Sequence, residues 1–242
     1  VYQLLRSGGF PDDHIILVLD KEMAANGNNP QRGTVRSAED GPDLLGGTDG
    51  LPAAAVDYDN KDISPSDIAD ILLGRQSARL PTVLPQEDGI NVLVFWSGHG
   101  SSALDGGADE FCWREERPGN GFGAGLLEET VGGMRFRKLL MCVEPCYGEA
   151  VIRPLEGIPG ALAMSGASAT EQSWADHWNT EARFWMCDRF SLNLTEYLTQ
   201  NPATNFRDLF LYCAAHTLGS HARIIGAATY GNLYLEGPEE FI

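Results

Sequence analysis

Two short apolar runs, each ending in small residues, constrain the fold of this chain more than any other feature of its sequence. One run covers residues 90–96 and leads into Ser-Gly-His-Gly at residues 97–100. The other covers residues 138–143 and leads into Glu-Pro-Cys-Tyr-Gly at residues 144–148. A continuous apolar run of this length is typical of a buried parallel strand whose carboxyl end opens into a loop. The sequence therefore predicts an α/β fold with a parallel sheet.

The residues that follow the two runs suggest where a site lies. In open α/β sheets, ligands bind at the carboxyl ends of the strands. His99 and Cys146 directly follow the predicted strands and are about 47 residues apart, and residues 125–131 can form the crossover helix between them. We therefore expect the imidazole of His99 and the thiol of Cys146 to face one cleft, as a base and a nucleophile do.

Length and charge narrow the class of protein. The chain has 242 residues, of which 43% are apolar, which is enough for one domain covering residues 1–242. A net charge of −17 argues against nucleic acid as a partner, because phosphate backbones are bound by Lys and Arg. No stretch approaches the roughly 20 apolar residues that span a bilayer, so we expect no membrane-spanning segment.

The cysteines are not spaced as a metal site. Their positions are Cys112, Cys142, Cys146, Cys187 and Cys213. Cys142 and Cys146 are separated by three residues, but no second close pair and no neighbouring histidines complete a zinc set. We expect neither a metal nor an organic cofactor. Cys142 lies inside the predicted strand and should pack in the core, whereas Cys146 follows the strand and should be exposed.

Turn and capping signals divide the rest of the chain into elements. The predicted elements are a helix that ends near Arg6, a strand at 15–19, a polar loop at 21–50, a helix from Ser64-Pro65 to Gly74, a loop at 75–89, a glycine-rich loop at 101–123, a strand at 161–165, helices at 186–198 and 205–218, and a last strand at 224–229.

The two strand ends, taken together, resemble the legumain family of cysteine peptidases (C13, clan CD), which includes the catalytic subunit of the glycosylphosphatidylinositol transamidase. The similarity extends to residues 10–20, to Val-Asp-Tyr at 56–58, to Met-Ser-Gly-Ala at 164–167, to Asp-Arg-Phe at 188–190 and to Tyr-Gly-Asn at 230–232. It covers nearly the whole chain and suggests a bacterial-type member. The resemblance implies a caspase/legumain-like three-layer sandwich, in which a mainly parallel sheet carries helices on both faces.

The resemblance also implies catalytic roles. His99 would act as general base and acid for Cys146, and the backbone N–H groups of Gly100 and Cys146 would form an oxyanion hole. Some relatives carry an Asn before Gly-Ile-Pro-Asp that orients the histidine, whereas this chain has Gly8 there. The orientation of His99 must then come from the backbone or from another side chain.

Three further residues match positions that form the substrate pocket in the family. Glu144, two residues before the predicted nucleophile, would line the pocket for the side chain before the scissile bond, although an exposed loop carboxylate is the alternative. Ser165 matches a residue of the pocket wall. Asn179 falls where the family usually has an Asp, which puts the preference for asparagine in doubt.

The predicted function is that of a cysteine endopeptidase that cleaves peptide or protein substrates after Asn or Asp through an acyl-enzyme on Cys146. A transpeptidase that uses the same acyl-enzyme and a catalytically silent binding scaffold are the alternatives. We expect a secreted, periplasmic or cell-surface location. The family begins with a core strand that precedes the helix ending near Arg6. We therefore also expect an upstream segment or chain from the same precursor, docked beside residues 15–19, and cleavage before Val1 as an activation step.

Overall fold

The computed structural model of the chain describes residues 1–45, 56–113 and 120–242. The strands are β1 (Val18–Leu19), β2 (Tyr58–Asp59), β3 (Asn91–Trp96), β4 (Gly100–Ser101), β5 (Glu110–Phe111), β6 (Phe122–Gly123), β7 (Lys138–Val143), β8 (Ala161–Ser165), β9 (Ala175–Asn179), β10 (Phe184–Asp188) and β11 (Arg223–Ile225). The helices are α1 (Tyr2–Ser7), α2 (Pro65–Leu72), α3 (Ala124–Gly133), α4 (Gly148–Ile152), α5 (Arg189–Gln200), α6 (Phe206–His216) and α7 (Ala227–Tyr230).

The largest sheet of the described residues has four strands in the order β11-β8-β7-β3. β3, β7 and β8 are parallel, and β11 is antiparallel to β8. The two apolar runs of the sequence are therefore neighbouring strands. Their register pairs Trp96, the last residue of β3, with Val143, the last residue of β7.

Side chains of the central strands alternate between two hydrophobic cores. On β7, Leu139, Met141 and Val143 pack with α2, α3 and α4, while Leu140 and Cys142 pack with α5 and α6. β3 and β8 alternate in the same way. Successive side chains of a strand point to opposite faces of the sheet. A strand whose residues are all apolar must therefore be buried by other elements on both faces. Helices on both faces of a mainly parallel sheet confirm the predicted α/β fold class.

The predicted start of α2 is confirmed by its hydrogen bonds. The Ser64 hydroxyl accepts a hydrogen bond from the Asp67 backbone N–H, and the Asp67 carboxylate accepts one from the Ser64 backbone N–H. This reciprocal pair is a capping box, and Pro65 occupies the first helical position, where no N–H is needed. The helix that joins β3 to β7 is also confirmed, as α3.

Four predicted elements differ from the structure, and three of them are strands or loops. Only Val18 and Leu19 of the predicted strand at 15–19 form a ladder, and β1 pairs with β2 in a separate two-stranded sheet. The glycine-rich loop at 101–123 contributes β4, β5 and β6 to a small antiparallel sheet. The predicted strand at 224–229 ends at Ile225 and is followed by α7, because Gly226 adopts a left-handed conformation between the two. Residues 46–50 and 114–119 of the two predicted loops lie outside the described residues.

The predicted helix at 186–198 is wrong at its start. Met186, Cys187 and Asp188 belong to β10, which pairs antiparallel with β9 in a hairpin, and α5 begins at Arg189. The sequence gives no Gly or Pro between strand and helix, so the apolar period of the helix is easily extended backwards over the strand. This correction matters because the hairpin lies beside the candidate active site.

β3 forms one edge of the four-stranded sheet and pairs only with β7 among the described residues. The upstream segment expected beside residues 15–19 stays a prediction. No helix in the described ranges is both long and apolar enough to cross a membrane.

Candidate active site

His99 and Cys146 occupy equivalent places after two adjacent strands. The last residue of β3, Trp96, is paired with the last residue of β7, Val143. His99 is the third residue after the end of β3, and Cys146 is the third residue after the end of β7. The Glu144 backbone N–H donates to the Trp96 carbonyl at 2.9 Å, which extends the ladder beyond both strands and into the two loops. The structure thus brings the predicted base and nucleophile to the same edge of the sheet.

Two glycines allow the histidine loop to approach the cysteine loop. Gly98 has a φ of 144°, a conformation that residues with a side chain rarely adopt. A Cβ atom at Gly100 would lie 2.1 Å from the Cys146 carbonyl oxygen and 3.0 Å from the Pro145 Cβ. The backbones that carry His99 and Cys146 are therefore in direct contact.

The predicted oxyanion donor Gly100 is held by a small antiparallel sheet. Gly100 is paired with Phe111, and the His99 carbonyl accepts a hydrogen bond from the Cys112 N–H at 2.9 Å. This bond makes Gly100 and Phe111 a non-hydrogen-bonded pair of the ladder, so ladder pairing does not use the Gly100 N–H. The geometry is compatible with that N–H donating to a substrate oxygen.

Cys146 lies in a tight turn between β7 and α4. The next residue, Tyr147, has a φ of 59°, a left-handed conformation that typically costs on the order of 1 kcal/mol or more for a residue with a side chain. Its hydroxyl donates to the Asp105 carboxylate, and its N–H donates to the Glu171 carbonyl at 2.9 Å. These contacts hold the turn in place and leave the Cys146 side chain half-buried.

Ser173 touches the candidate nucleophile and was missed by the sequence analysis. Its backbone N–H donates to the Cys146 Sγ at 3.3 Å, and its Oγ lies 3.6 Å from the same sulfur. Ser173 therefore contacts the sulfur through both its backbone and its side chain. Ser173 precedes β9 in a loop of polar residues, where no periodicity or motif distinguishes it from its neighbours.

Three of the other thiols are poor nucleophiles. Burial raises the pKa of Cys142, which is part of the core as predicted. Burial also raises the pKa of Cys213 to about 12. The pKa of Cys187 is raised to about 12 by burial first and then by nearby carboxylates. Since the thiolate is the reactive form, these three side chains are inert near neutral pH.

Glu144 is buried rather than exposed on a loop. Its side chain is 1% exposed, and its Oε2 accepts hydrogen bonds from the N–H and the hydroxyl of Ser191 at 3.0 and 3.2 Å. Its Oε1 is buried and has no hydrogen-bond partner among the described residues. Burial, and then the negative charge of Asp188, raise the pKa of Glu144 well above its usual range.

The other two predicted pocket residues, Ser165 and Asn179, are buried and hydrogen-bonded within their own segments. Ser165 is fully buried at the end of β8, where its hydroxyl donates to the Ala167 carbonyl at 2.8 Å. Asn179 is buried at the end of β9, where its Oδ1 accepts from the Ala182 N–H at 2.7 Å and closes the hairpin turn. The hydrogen bonds of both side chains are thus local, and the pocket roles of all three residues stay predictions.

No group of three or more His, Cys, Asp or Glu side chains in the described part of the chain is placed to hold a metal ion. The chemistry that this site can perform with its own groups is that of a thiol and an imidazole at adjacent strand ends. A mainly parallel α/β sheet with such a pair defines the class of caspase/legumain-like cysteine peptidases.

Comparison with known sequences identifies the family. The sequence model described as the Peptidase C13 family matches residues 1–237, and the chain therefore belongs to this family of cysteine peptidases. The GPI-anchor transamidase of Bos taurus is 28% identical over 218 residues, which are 88% of this chain and 53% of that protein. Legumain of Rattus norvegicus is 23% identical over 239 residues, which are 96% of this chain and 51% of that protein. The chain spans about half the length of these two relatives.

Among solved structures, caspase-1 from Spodoptera frugiperda is similar with a TM-score of 0.37 and 13% identity, covering 72% of this chain and 71% of that one.

Proposed function

We propose that the chain is a legumain-type cysteine endopeptidase that cleaves polypeptides after Asn or Asp. The observation that supports this most is the matched position of His99 and Cys146 after register-paired strands, with the Gly100 backbone against that of Cys146. This arrangement suits acyl transfer, in which a nucleophile, a base and an oxyanion donor must converge on one carbonyl group.

In the proposed mechanism, the Cys146 thiolate attacks the carbonyl carbon of the scissile peptide bond. The oxyanion that forms accepts hydrogen bonds from the N–H groups of Gly100 and Cys146. Protonated His99 gives its proton to the leaving amine, the C–N bond breaks, and an acyl-enzyme remains on the sulfur. His99 then takes a proton from water, which attacks the thioester and releases the acid.

The test is cleavage of a peptide library with one residue varied at the position before the scissile bond, analysed by mass spectrometry. Cleavage after Asn or Asp supports the proposal, and cleavage after other residues rejects the proposed specificity. A protein that neither cleaves any peptide nor reacts with an acyloxymethylketone probe would instead be the silent scaffold.

A transpeptidase or transamidase is the second candidate, because several of the similar curated proteins are named GPI-anchor transamidases. Such an enzyme shares the acyl-enzyme and differs in what resolves it. We expect that adding hydroxylamine or glycinamide during peptide cleavage yields mostly the free acid if the chain is a hydrolase. A product that carries the amine in excess of the acid at millimolar nucleophile would favour the transamidase.

Glu144→Gln tests the proposed pocket. The proposal requires substrate binding to open access to Oε1, which is buried and has no hydrogen-bond partner among the described residues. Gln keeps the size of the side chain and an oxygen for the Ser191 N–H, so the fold should be retained. We expect kcat/KM for the preferred residue to fall about 10-fold or more, since an unpaired buried polar group typically costs about 1–3 kcal/mol.

The matched control for this change is Glu128→Gln, on the exposed face of α3, which should leave the cleavage profile as it is. If the profiles of Glu144→Gln and Glu128→Gln coincide, Glu144 has no part in substrate selection.

A further inference from the structure

The Ser-Ala-Thr-Glu sequence at residues 168–171 has the pattern of a helix start, but no helix follows it. In a capping box, the Glu side chain accepts a hydrogen bond from the backbone N–H of the Ser that begins the helix. That bond is present here, since the Ser168 N–H donates to the Glu171 Oε1 at 2.9 Å. Residues 168–174 nevertheless contain neither a helix nor a strand. The carboxylate of Glu171 therefore closes a loop and can accept from further donors.

The further donors come from the segment that precedes β11. The Glu171 Oε1 accepts a second bond from the His221 N–H at 2.8 Å, and its Oε2 lies 2.8 Å from the His221 Nδ1. Burial opposes ionisation of Glu171, but the hydrogen bonds from His221 and Ser168 outweigh it and lower the pKa of Glu171 to about 2. An ionised carboxylate can only accept, so Nδ1 carries the hydrogen of this bond. Glu171 thus joins two segments that are 50 residues apart.

The peptide that carries Glu171 also touches the turn that holds the candidate nucleophile. The Glu171 carbonyl accepts from the Tyr147 N–H at 2.9 Å, and the Gln172 side chain donates to the Tyr147 hydroxyl. The Ser173 N–H donates to the Cys146 Sγ at 3.3 Å. Tyr147 has a left-handed φ of 59°, a conformation that persists only where its surroundings stabilise it. The position of Glu171 therefore affects the position of the thiol.

A second carboxylate holds the earlier part of the same loop. Glu149 of α4 accepts from the Ala169 N–H at 2.9 Å, and its own N–H donates to the Ala167 carbonyl at 3.3 Å. The guanidinium groups of Arg153 and Arg223 each lie 3.4 Å from the Glu149 carboxylate. Glu149 thus fixes the start of the loop to α4. Its later part, which lies against the sulfur, is fixed by a different carboxylate to a different segment.

We propose that Glu171 is a positioning residue for the nucleophile: by binding the backbone before β11, its carboxylate holds residues 171–173 against the turn that carries Cys146. The role in catalysis rests on the proposed function, whereas the anchoring of the turn does not. Without the anchor, the loop can withdraw from the sulfur and from the Tyr147 N–H. A displacement of about 1 Å beside a reacting group can cost about 100-fold in rate.

The test is amide hydrogen exchange at Tyr147, followed by NMR. The chain has seven tyrosines, so isotopic nitrogen labelling of tyrosine gives few signals, and Tyr147→Phe identifies the one of interest. Glu171→Ala leaves the carbonyl that binds the Tyr147 N–H in place and removes only the anchor. We expect the exchange rate of this N–H to rise about 10-fold or more, because the loop opens locally. The amides of Tyr197 and Tyr212, inside α5 and α6, report on unfolding of the whole domain.

Glu236→Ala is the matched control. The Glu236 side chain is 24% exposed, against 23% for Glu171, and it accepts the Asn232 N–H at 3.1 Å and forms an ion pair with Lys138. Lys138 begins β7, and the candidate nucleophile follows the other end of that strand. Glu236→Ala should therefore keep the exchange rate at Tyr147 within about twofold of the wild type. An unchanged rate in a folded Glu171→Ala protein, or an equal rise in Glu236→Ala, would overturn the proposal.

Glu171→Gln separates position from charge. Gln keeps an oxygen that can accept from the N–H groups of Ser168 and His221, so the exchange rate at Tyr147 should stay within about threefold of the wild type. A rise as large as that in Glu171→Ala would show that charge is what matters and would contradict the positioning role. If Glu171→Ala does not fold, His221→Ala decides instead. It removes only the Nδ1 bond, so we expect about threefold faster exchange or more, and an unchanged rate overturns the proposal.

Catalysis gives an independent measurement. With active sites counted by titration with an acyloxymethylketone, kcat of Glu171→Ala should fall about 10-fold or more while KM stays within about threefold. Counting sites in this way keeps partial unfolding from imitating the effect. Faster exchange at Tyr147 with an unchanged kcat would overturn the positioning role. A wild type that cleaves no peptide but shows the Glu171-dependent exchange would reject only the proposed function. Efficient cleavage with exchange independent of Glu171 would reject only the positioning role.

Discussion

Cys146→Ala should abolish peptide cleavage and leave the protein folded. The substitution removes the sulfur that forms the acyl-enzyme, and loss of a catalytic nucleophile typically lowers kcat by on the order of 10⁴-fold or more. The side chain is half-buried in a turn that is held by the backbone and by Tyr147, so its removal should cost little stability. The measurements are kcat/KM on the best peptide and thermal unfolding by circular dichroism.

Cys142→Ala is the matched control, four residues earlier on β7. This thiol is 2% exposed and packs in the core between the sheet and α5–α6. Replacing it leaves a small cavity, which should lower the free energy of unfolding by about 1 kcal/mol while cleavage continues. Equal loss of activity from the two substitutions would contradict the assignment of Cys146 as the nucleophile.

Gly100→Ala should lower kcat/KM about 100-fold or more. The added Cβ would lie 2.1 Å from the Cys146 carbonyl oxygen, so the histidine loop and the cysteine loop must move apart. Displacing catalytic groups by about 1 Å can cost about 100-fold in rate. The same overlap should lower the free energy of unfolding by about 1–3 kcal/mol, which urea denaturation would measure.

Gly125→Ala is the matched control for Gly100→Ala. It lies on the exposed face of α3, and no atom lies within 4 Å of a Cβ built there. Alanine in a helix should raise the free energy of unfolding by about 0.4–1 kcal/mol and leave cleavage as it is. Wild-type activity in Gly100→Ala would show that the close approach of the two loops is not needed for catalysis.

The sequence predicted the parts of the site that depend on the sheet. Parallel strands buried on both faces are apolar throughout, so β3 and β7 are visible as runs, and their carboxyl ends locate His99 and Cys146. The start of α2 could be predicted from Ser64 and Pro65, because a helix cap is formed by residues that are neighbours in the sequence. These predictions rest on patterns that lie within a few consecutive residues of the chain.

The hairpin was not predicted, because its signal is ambiguous. Trp178 and Trp185 face each other across β9 and β10 and are half-exposed, so neither strand shows the continuous apolar run of a buried strand. The turn depends on Arg183, which has a left-handed φ of 58° and is not a residue that indicates such a turn. Asp188, the N-cap residue of α5, was assigned to the helix because the apolar period of α5 can be extended backwards over it.

Contacts between distant segments could not be predicted from one sequence. Ser173 reaches Cys146 from a loop that follows a later strand, and Asp188 reaches Ser97 across 91 residues. Both depend on how the hairpin is laid beside the sheet. Sequence patterns report the chemistry of neighbours along the chain, and these two residues become neighbours only in three dimensions.

The shared register of β3 and β7 has a consequence for biosynthesis. His99 and Cys146 meet only after the two strands have paired, and about 47 residues of chain must be made and folded between them. A chain that emerges from the ribosome, or one that has unfolded, carries an ordinary thiol and an ordinary imidazole that are far apart. Pairing of β3 with β7 is therefore the folding step that brings the imidazole and the thiol to one edge of the sheet.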